Sequence, residues 1–283
     1  MEIYSNLEQA LNHQIADLFD NGTRVSSRGS NQIENLFTSM CILDPTDIQI
    51  SNVARAFNPH YAMTEWLWYL SGDPSVKNIG KFARIWMQIQ NDEGEVESNY
   101  GSYILGDQWD FVVKELKNDP ESRRCTLVVH QPYHKYKNLA DMPCTQYLQF
   151  FIRENKLHLG VSMRSNDVVF GFCNDVFTFT LFQQLMYNEL KTHDQFSDLE
   201  LGHYYHHAGS MHIYERHWEM GQKIQDLAKI KGDNRVDHDR KYKLKSGVTF
   251  EKIKNNEWYL PTADLDKEAI DDKVIEIVNE IFE

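Results

Sequence analysis

The segment from Thr145 to Ser165, TQYLQFFIRENKLHLGVSMRS, constrains the fold more than any other stretch of the chain. It reads as two strands around a turn at Glu154, Asn155 and Lys156. A strongly apolar helix, VFTFTLFQQLMYNELKTH, comes soon after it. CTLVVHQP before the pair and LELGHYYHHAGSMHIY after the helix read as further strands. The remaining helical patterns are LEQALNHQIADLF, stopped by DNG, and YAMTEWLWYLSGD, ending at Gly72. WDFVVKELKNDP is cut off before Pro120, and ERHWEMGQKIQDLAKI follows the last strand. Strands in succession with helices clustered around them predict an α+β fold with a large mixed sheet flanked by helices. Beyond about Lys231 the pattern is charged and weak, apart from a short amphipathic helix in DKEAIDDKVIEIVNEIF.

No repeat, low-complexity tract or Pro/Gly/Ser-rich linker divides the chain, and 283 residues are within reach of one domain, so a single domain over 1–283 is expected. The N-terminus lacks the basic and apolar regions of a signal peptide, and no apolar run is long enough to span a bilayer. The four cysteines, Cys41, Cys125, Cys144 and Cys173, are widely spaced, which points to reduced thiols and a cytoplasmic location with no membrane partner. A formal charge of −13 disfavours a nucleic-acid duplex. A small phosphorylated ligand remains open, because a few local arginines suffice for it.

Several residues could carry chemistry. Cys144, in MPCTQ, is either a small core residue or a nucleophile, and the second reading needs positive charge nearby to lower the thiol pKa. Arg164 lies one strand later and Arg123 and Arg124 one strand earlier, so a sheet could gather these charges. Adjacent arginines entering a strand point to opposite faces, so Arg123 and Arg124 suit either a solvated turn or a phosphate reached across an interface. Arg28 sits in the Ser/Gly-rich loop SSRGSN, which suits an oxyanion. His203, His206, His207, His212 and His217 invite a metal reading, with His203 and His207 on one strand face and His206 and His212 on the other. No carboxylate or cysteine at ligand spacing completes a zinc set, so no metal is expected. Alternation puts His212 and Tyr214 on the same face, where they could hydrogen-bond a sugar hydroxyl. Asp175 immediately precedes an apolar helix, and Asn174 or Asp175 would make an ordinary N-cap.

Taken together, these segments resemble the thymidylate synthase and deoxycytidylate hydroxymethylase family. TEWLWYLSGD resembles its glutamate-bearing helix, ARIWMQI its active-site tryptophan segment and SNYG its tyrosine-glycine step. DPESRR resembles the twin arginines, MPCTQYLQF the nucleophile, MRSNDVVFGFCND the nucleotide-binding stretch, and GSMHIYERH the sugar-binding histidine and tyrosine. The matches run in family order from about Arg28 to His217 and fade beyond it, leaving about 231–283 as a divergent C-terminal extension.

The resemblance implies a sheet-to-sheet homodimer with shared active sites. Cys144 would attack carbon 6 of a pyrimidine nucleotide, activating carbon 5 toward a one-carbon unit from 5,10-methylenetetrahydrofolate. Arg28, Arg164 and Ser165 would hold the nucleotide phosphate, with Arg123 and Arg124 coming from the second subunit. His212 and Tyr214 would bind the sugar hydroxyl, Glu65 would organise water and proton transfer, and Tyr100 would help remove the carbon-5 proton. Trp86, Asp167 and Gly171 would line the folate side.

At the position of Asp175 thymidylate synthases carry asparagine, whose amide both donates and accepts, as uracil requires. A carboxylate instead accepts from the exocyclic amine of cytosine, and a shared proton can bridge the ring nitrogen. The phage deoxycytidylate hydroxymethylases carry the same RSNDVVFGF.ND pattern, so dCMP is the expected substrate, in the host cytoplasm if the chain is phage-encoded. Thr145 replaces the histidine that follows the family nucleophile, Met163 a common glutamine, and Ile89 the second active-site tryptophan. With a tail unlike the closing segment of the synthases, these departures favour hydroxymethyl transfer, giving 5-hydroxymethyl-dCMP and tetrahydrofolate. The alternatives are a reductive methyltransferase acting on dCMP or dUMP, and an inactive nucleotide-binding protein.

Overall fold

The computed structural model describes residues 1–136, 140–231 and 238–283. Strand β1 (Glu2–Tyr4) leads into helix α1 (Leu7–Asn21), and the hairpin of β2 (Thr23–Ser27) and β3 (Ser30–Ile42) follows. Helices α2 (Pro59–Ser71), α3 (Arg84–Ile89), α4 (Gly101–Ile104) and α5 (Asp107–Asn118) precede the short strand β4 (Thr126–Val128). Then come β5 (Thr145–Arg153), β6 (Lys156–Met163), the two-residue β7 (Asn166–Asp167), α6 (Gly171–Lys191) and β8 (Glu200–Tyr214). Helices α7 (Trp218–Lys231), α8 (Phe250–Asn255) and α9 (Lys267–Ile281) complete the described residues.

The strands form one eight-stranded sheet in the order β1-β3-β8-β6-β5-β4, with β2 paired to β3 and β7 to β8. It is mixed: β1 runs parallel to β3, and β6 and β7 run parallel to β8, while the other pairs are antiparallel. The expected α+β class is therefore what the chain adopts.

Glu154 (φ 50°) and Asn155 (φ 58°) are both left-handed, as a two-residue hairpin turn between right-twisted strands requires. Lys156, expected in the turn, instead opens β6 opposite Arg153. Leu148, Phe150 and Ile152 are buried, whereas Tyr147 just before them is exposed, so β5 gives one face to the core. Helix α6 lies over β6 and β8 on that face and is covered in turn by α2. It buries residues around most of its circumference, which accounts for a helix apolar on nearly every side.

Helix α2 ends where its sequence predicts and begins two residues before the expected Tyr61. Asn58 Oδ1 accepts from the Tyr61 amide at 3.1 Å, Pro59 opens the helix, and Gly72 closes it at φ 63°.

Strands β3 and β4 depart from expectation, and the packing of the tail is one the sequence left open. Strand β3, thirteen residues long, is absent from the sequence reading. Its alternation is broken by Phe37 at φ 54° and diluted by polar residues. The strand in CTLVVHQP is confined to Thr126–Val128. The tail is packed into the common core: Ile270, Val274, Ile277 and Ile281 of α9 are buried, and the Leu260 amide donates to the Leu67 carbonyl of α2 at 2.9 Å. Residues 232–237, at the start of the expected extension, lie outside the described residues. No described helix is long and apolar enough to cross a membrane.

Candidate active site

Cys144 immediately precedes β5, and the β5–β6 register sets its neighbours. Thr145 pairs with Met163, so the Arg164 amide donates to the Cys144 carbonyl at 2.8 Å. The Arg164 guanidinium is held by the same backbone: Nε donates to the Pro143 carbonyl at 3.1 Å and Nη2 to the Met142 carbonyl at 2.7 Å. Burial pushes the Cys144 thiol up, and Arg164 pulls it back down; Asp175 and Asp141 add to the rise, and Arg28 opposes it. The thiol is the only partly exposed one, since Cys41, Cys125 and Cys173 are buried.

Arg28 reaches the site from the β2–β3 hairpin, whose turn is Arg28 (φ 49°) and Gly29 (φ 77°). With Arg164, Ser165, Tyr214 and Arg216 it lines a recess of about 690 Å³. Three guanidinium groups and several hydroxyls facing one recess suit a phosphate. The Arg216 guanidinium lies 4.1 Å over the Tyr214 ring. The rings of His212 and Tyr214 meet edge-on at 4.8 Å, and His212 Nε2 is buried without a hydrogen-bond partner among the described residues.

Asp175 is not an N-cap. Helix α6 begins at Gly171, with Phe170 in the cap position, and Asp167 Oδ2 accepts from the Phe170 amide at 3.0 Å. Asn174 is likewise inside the helix, its amide donating to the Phe170 carbonyl at 3.2 Å. The Asp175 side chain turns to Asn166, whose Nδ2 donates to Oδ2 at 2.7 Å. A Cβ on Gly171 would stand 3.1 Å from Asn166 Nδ2 and 3.6 Å from Asp175 Oδ2, so glycine keeps this contact open. Burial pushes the Asp175 carboxyl up to about 7, with the Asn166 bond opposing and Asp167 adding to the rise.

Glu65, buried on α2, accepts from the Tyr61 hydroxyl at 2.7 Å. Burial pushes its carboxyl up to about 8, the Tyr61 bond opposes this, and Asp175 adds to it. Trp86 Nε1 donates to the same Tyr61 oxygen at 3.1 Å, and its ring packs against Trp68 at 4.9 Å. Tyr100 lies between Tyr69 at 5.2 Å and Phe179 at 5.9 Å. Burial first, then Cys144 and Asp175, hold the Tyr100 hydroxyl far above its ordinary range. Despite burial, Asp167 is held below the usual carboxylate range by His217, the Phe170 amide and His212. Its Oδ1 lies 3.9 Å from His217 Nδ1.

Cys144, Glu65, Tyr100, Arg28, Arg164, Asp167 and Asp175 are thus electrostatic neighbours or share a recess. Arg123 and Arg124 are not brought to them within one chain. They are exposed on the turn before β4, at the sheet edge, where Arg124 Nη1 lies 3.9 Å from Glu115. The β8 histidines have protein partners: His203 meets the Leu43 carbonyl at 2.9 Å and His207 the Ser39 hydroxyl at 2.8 Å. His206 bonds Tyr204 and Asn166, each at 2.9 Å. Among the described residues no group of three His, Cys, Asp or Glu side chains could hold a metal ion.

The sequence reading missed Tyr61, Asn166 and Arg216, and weighed His206 only as part of a metal cluster. Tyr61 was accessible to it, since positions four apart share a helix face and Tyr61 precedes Glu65 by one turn. Asn166 carried no comparable signal, because its role depends on a strand and a helix meeting in space.

The family model described as thymidylate synthase matches residues 9–254. The deoxycytidylate 5-hydroxymethyltransferase of Enterobacteria phage T4 is 34% identical over 172 residues, spanning 58% of this chain and 70% of that protein. The thymidylate synthase of Bacillus mojavensis is 27% identical over 227 residues, spanning 75% of this chain and 78% of its own. Among solved structures, the thermostable thymidylate synthase A from Bacillus subtilis superposes with a TM-score of 0.61 at 23% identity, over 78% of this chain and 84% of that one, which shows a shared fold.

Proposed function

This chain belongs to the thymidylate synthase family of one-carbon transferases, and from that premise we propose that it is a deoxycytidylate 5-hydroxymethyltransferase. The observation carrying the choice of base is Asp175: a carboxyl inside α6, tied through one oxygen to Asn166 and pushed up to about 7. Such a group accepts from the exocyclic amine of cytosine and shares a proton with its ring nitrogen. Uracil would set its carbonyl oxygen against the accepting oxygen, at a cost of about 1–3 kcal/mol.

In this reading Arg28, Arg164 and Ser165 grip the phosphate, while His212 and Tyr214 hold the sugar hydroxyl. The Cys144 thiolate adds to carbon 6, favoured by the adjacent guanidinium charge, and carbon 5 becomes nucleophilic. 5,10-Methylenetetrahydrofolate supplies the one-carbon unit. The Trp86 ring, Asp167 and the bare backbone at Gly171 suit its side of the pocket, since Asp167 Oδ1 is buried without a hydrogen-bond partner among the described residues. Tyr100 assists removal of the carbon-5 proton. Glu65 directs water to the exocyclic carbon, and departure of the thiolate restores the aromatic ring.

A second copy of the chain supplies Arg123 and Arg124. Their exposure at the sheet edge, with Phe37 and Tyr147 exposed on the sheet, supports sheet-to-sheet pairing. A cheap test offers dCMP and dUMP separately with methylenetetrahydrofolate and follows absorbance. Consumption with dCMP and no dihydrofolate agrees with the proposal, and dihydrofolate production from dUMP alone contradicts it.

A further inference from the structure

Behind Asp175 lies a buried chain of polar groups with no role in the chemistry described so far. The Tyr204 hydroxyl meets His206 Nδ1 at 2.9 Å, His206 Nε2 meets Asn166 Oδ1 at 2.9 Å, and Asn166 Nδ2 meets Asp175 Oδ2 at 2.7 Å. Tyr204 and His206 come from β8 and Asn166 from β7, and all three are almost completely buried. Phe172 of α6 packs edge-on against the His206 ring at 5.2 Å, which fixes its plane.

The direction of donation along this chain follows from elementary inventory. A neutral imidazole has one donor and one acceptor. Burial holds His206 far below its ordinary range, at about 3, so the ring is neutral at physiological pH. Among the described residues His206 is the hydrogen-bond partner of the Tyr204 hydroxyl. The Tyr204 O–H therefore donates to Nδ1, since the reverse arrangement would bury that hydrogen with nothing to receive it. Nε2 must then carry the ring hydrogen and donate to Asn166 Oδ1. The Asn166 amide is left with its NH2 group facing Asp175.

We propose that Tyr204, His206 and Asn166 form a positioning relay that makes Asp175 read cytosine. By locking the Asn166 amide, the relay keeps Asp175 Oδ2 an acceptor in both protonation states, so a proton held by the carboxyl resides on Oδ1. One accepting and one donating oxygen, in that fixed order, match the amine and ring nitrogen of cytosine. With the amide free to turn over, its oxygen could accept a hydrogen bond from a carboxyl protonated on Oδ2 instead. Oδ1 would then accept, which suits the ring N–H of uracil. The inference rests on the deoxycytidylate reading and deepens it, because specificity would reside in three residues behind the carboxyl as well as in the carboxyl itself.

The test compares kcat/KM for dCMP and dUMP in the full-length wild-type protein, Tyr204→Phe, His206→Phe and His206→Gln. Tyr204→Phe removes one oxygen and keeps the ring, so it stands in if His206→Phe does not fold. Expected is a fall of about tenfold in the dCMP:dUMP ratio for both phenylalanine variants, including an absolute gain on dUMP. A damaged fold does not produce that gain. His206→Gln, which retains an N–H donor toward Asn166, should recover most of the ratio. A wild-type preference for dCMP that both phenylalanine variants retain overturns the relay alone. Wild-type preference for dUMP overturns the deoxycytidylate reading and the relay's purpose with it.

Discussion

Tyr61 donates its hydroxyl to Glu65 at 2.7 Å while accepting from the Trp86 indole at 3.1 Å. Three residues from two helices thereby end on one buried carboxyl, pushed up by burial to about 8. Glu65 is then mostly protonated at neutral pH, and the protonated form is lost as pH rises through about 8. Turnover should decline along the same limb. Glu65→Gln should lower kcat by about 10²–10⁴-fold and abolish the alkaline limb. A pH–rate profile of both proteins checks this, and a limb that survives in the variant contradicts it.

Asp175 makes a parallel prediction, for stability rather than turnover. Its carboxyl is raised from an ordinary 3.8 to about 7 in the folded protein, so the native state binds the proton more tightly than the unfolded chain. The associated stability is fully present below about pH 4 and is lost as pH rises through about 7. Asp175→Asn should therefore be about 1–3 kcal/mol more stable than wild type near pH 8 and gain little near pH 4. Urea unfolding at the two pH values measures the difference. Equal effects at both would mean that the carboxyl is not buried as a proton carrier.

The hydrogen bonds from Arg164 to the Met142 and Pro143 carbonyls hold its charge beside Cys144. Arg164→Met should raise the Cys144 thiol further and slow its alkylation by iodoacetamide about tenfold at neutral pH. The other three cysteines are buried, so peptide mapping reads Cys144 cleanly. Unchanged alkylation would mean that Arg164 does not activate this sulfur.

Helix α9 should matter for stability although it lies beyond residues 9–254, which the family model matches. Ile277 of α9 is buried in the common core. Ile277→Ala is expected to cost about 2–5 kcal/mol and to lower Tm by several degrees. A change below about 0.5 kcal/mol would mean that α9 is not packed in the core as described.

Where local chemistry decides the structure, the sequence was readable. Gly72 ends α2 by capping rules, and Glu154 and Asn155 turn the hairpin by their tolerance of positive φ. The cap reading of Asp175 failed because Asn-Asp before an apolar run imitates a helix start. Phe172 and Cys173, both fully buried, draw the helix back by more than a turn and leave Asp175 inside it, with its side chain on Asn166. In β3 the left-handed Phe37 broke the alternation. Helix α9 was readable as amphipathic, because Ile270, Val274, Ile277 and Ile281 recur at helical spacing on one buried face. Residues that matter through a neighbour from another element, such as Asn166, leave no pattern along the chain.

In this proposal the Asp175 carboxyl selects an aminopyrimidine for hydroxymethylation. The most direct measurement is the mass of the nucleotide formed when dCMP and dUMP are incubated separately with the protein and methylenetetrahydrofolate. The prediction is that dCMP gains CH2O, that dUMP is left largely unchanged, and that Cys144→Ala forms neither product. Turnover of dUMP alone would contradict the choice of base, and a gain of only CH2 on dCMP would replace hydration by reductive methyl transfer.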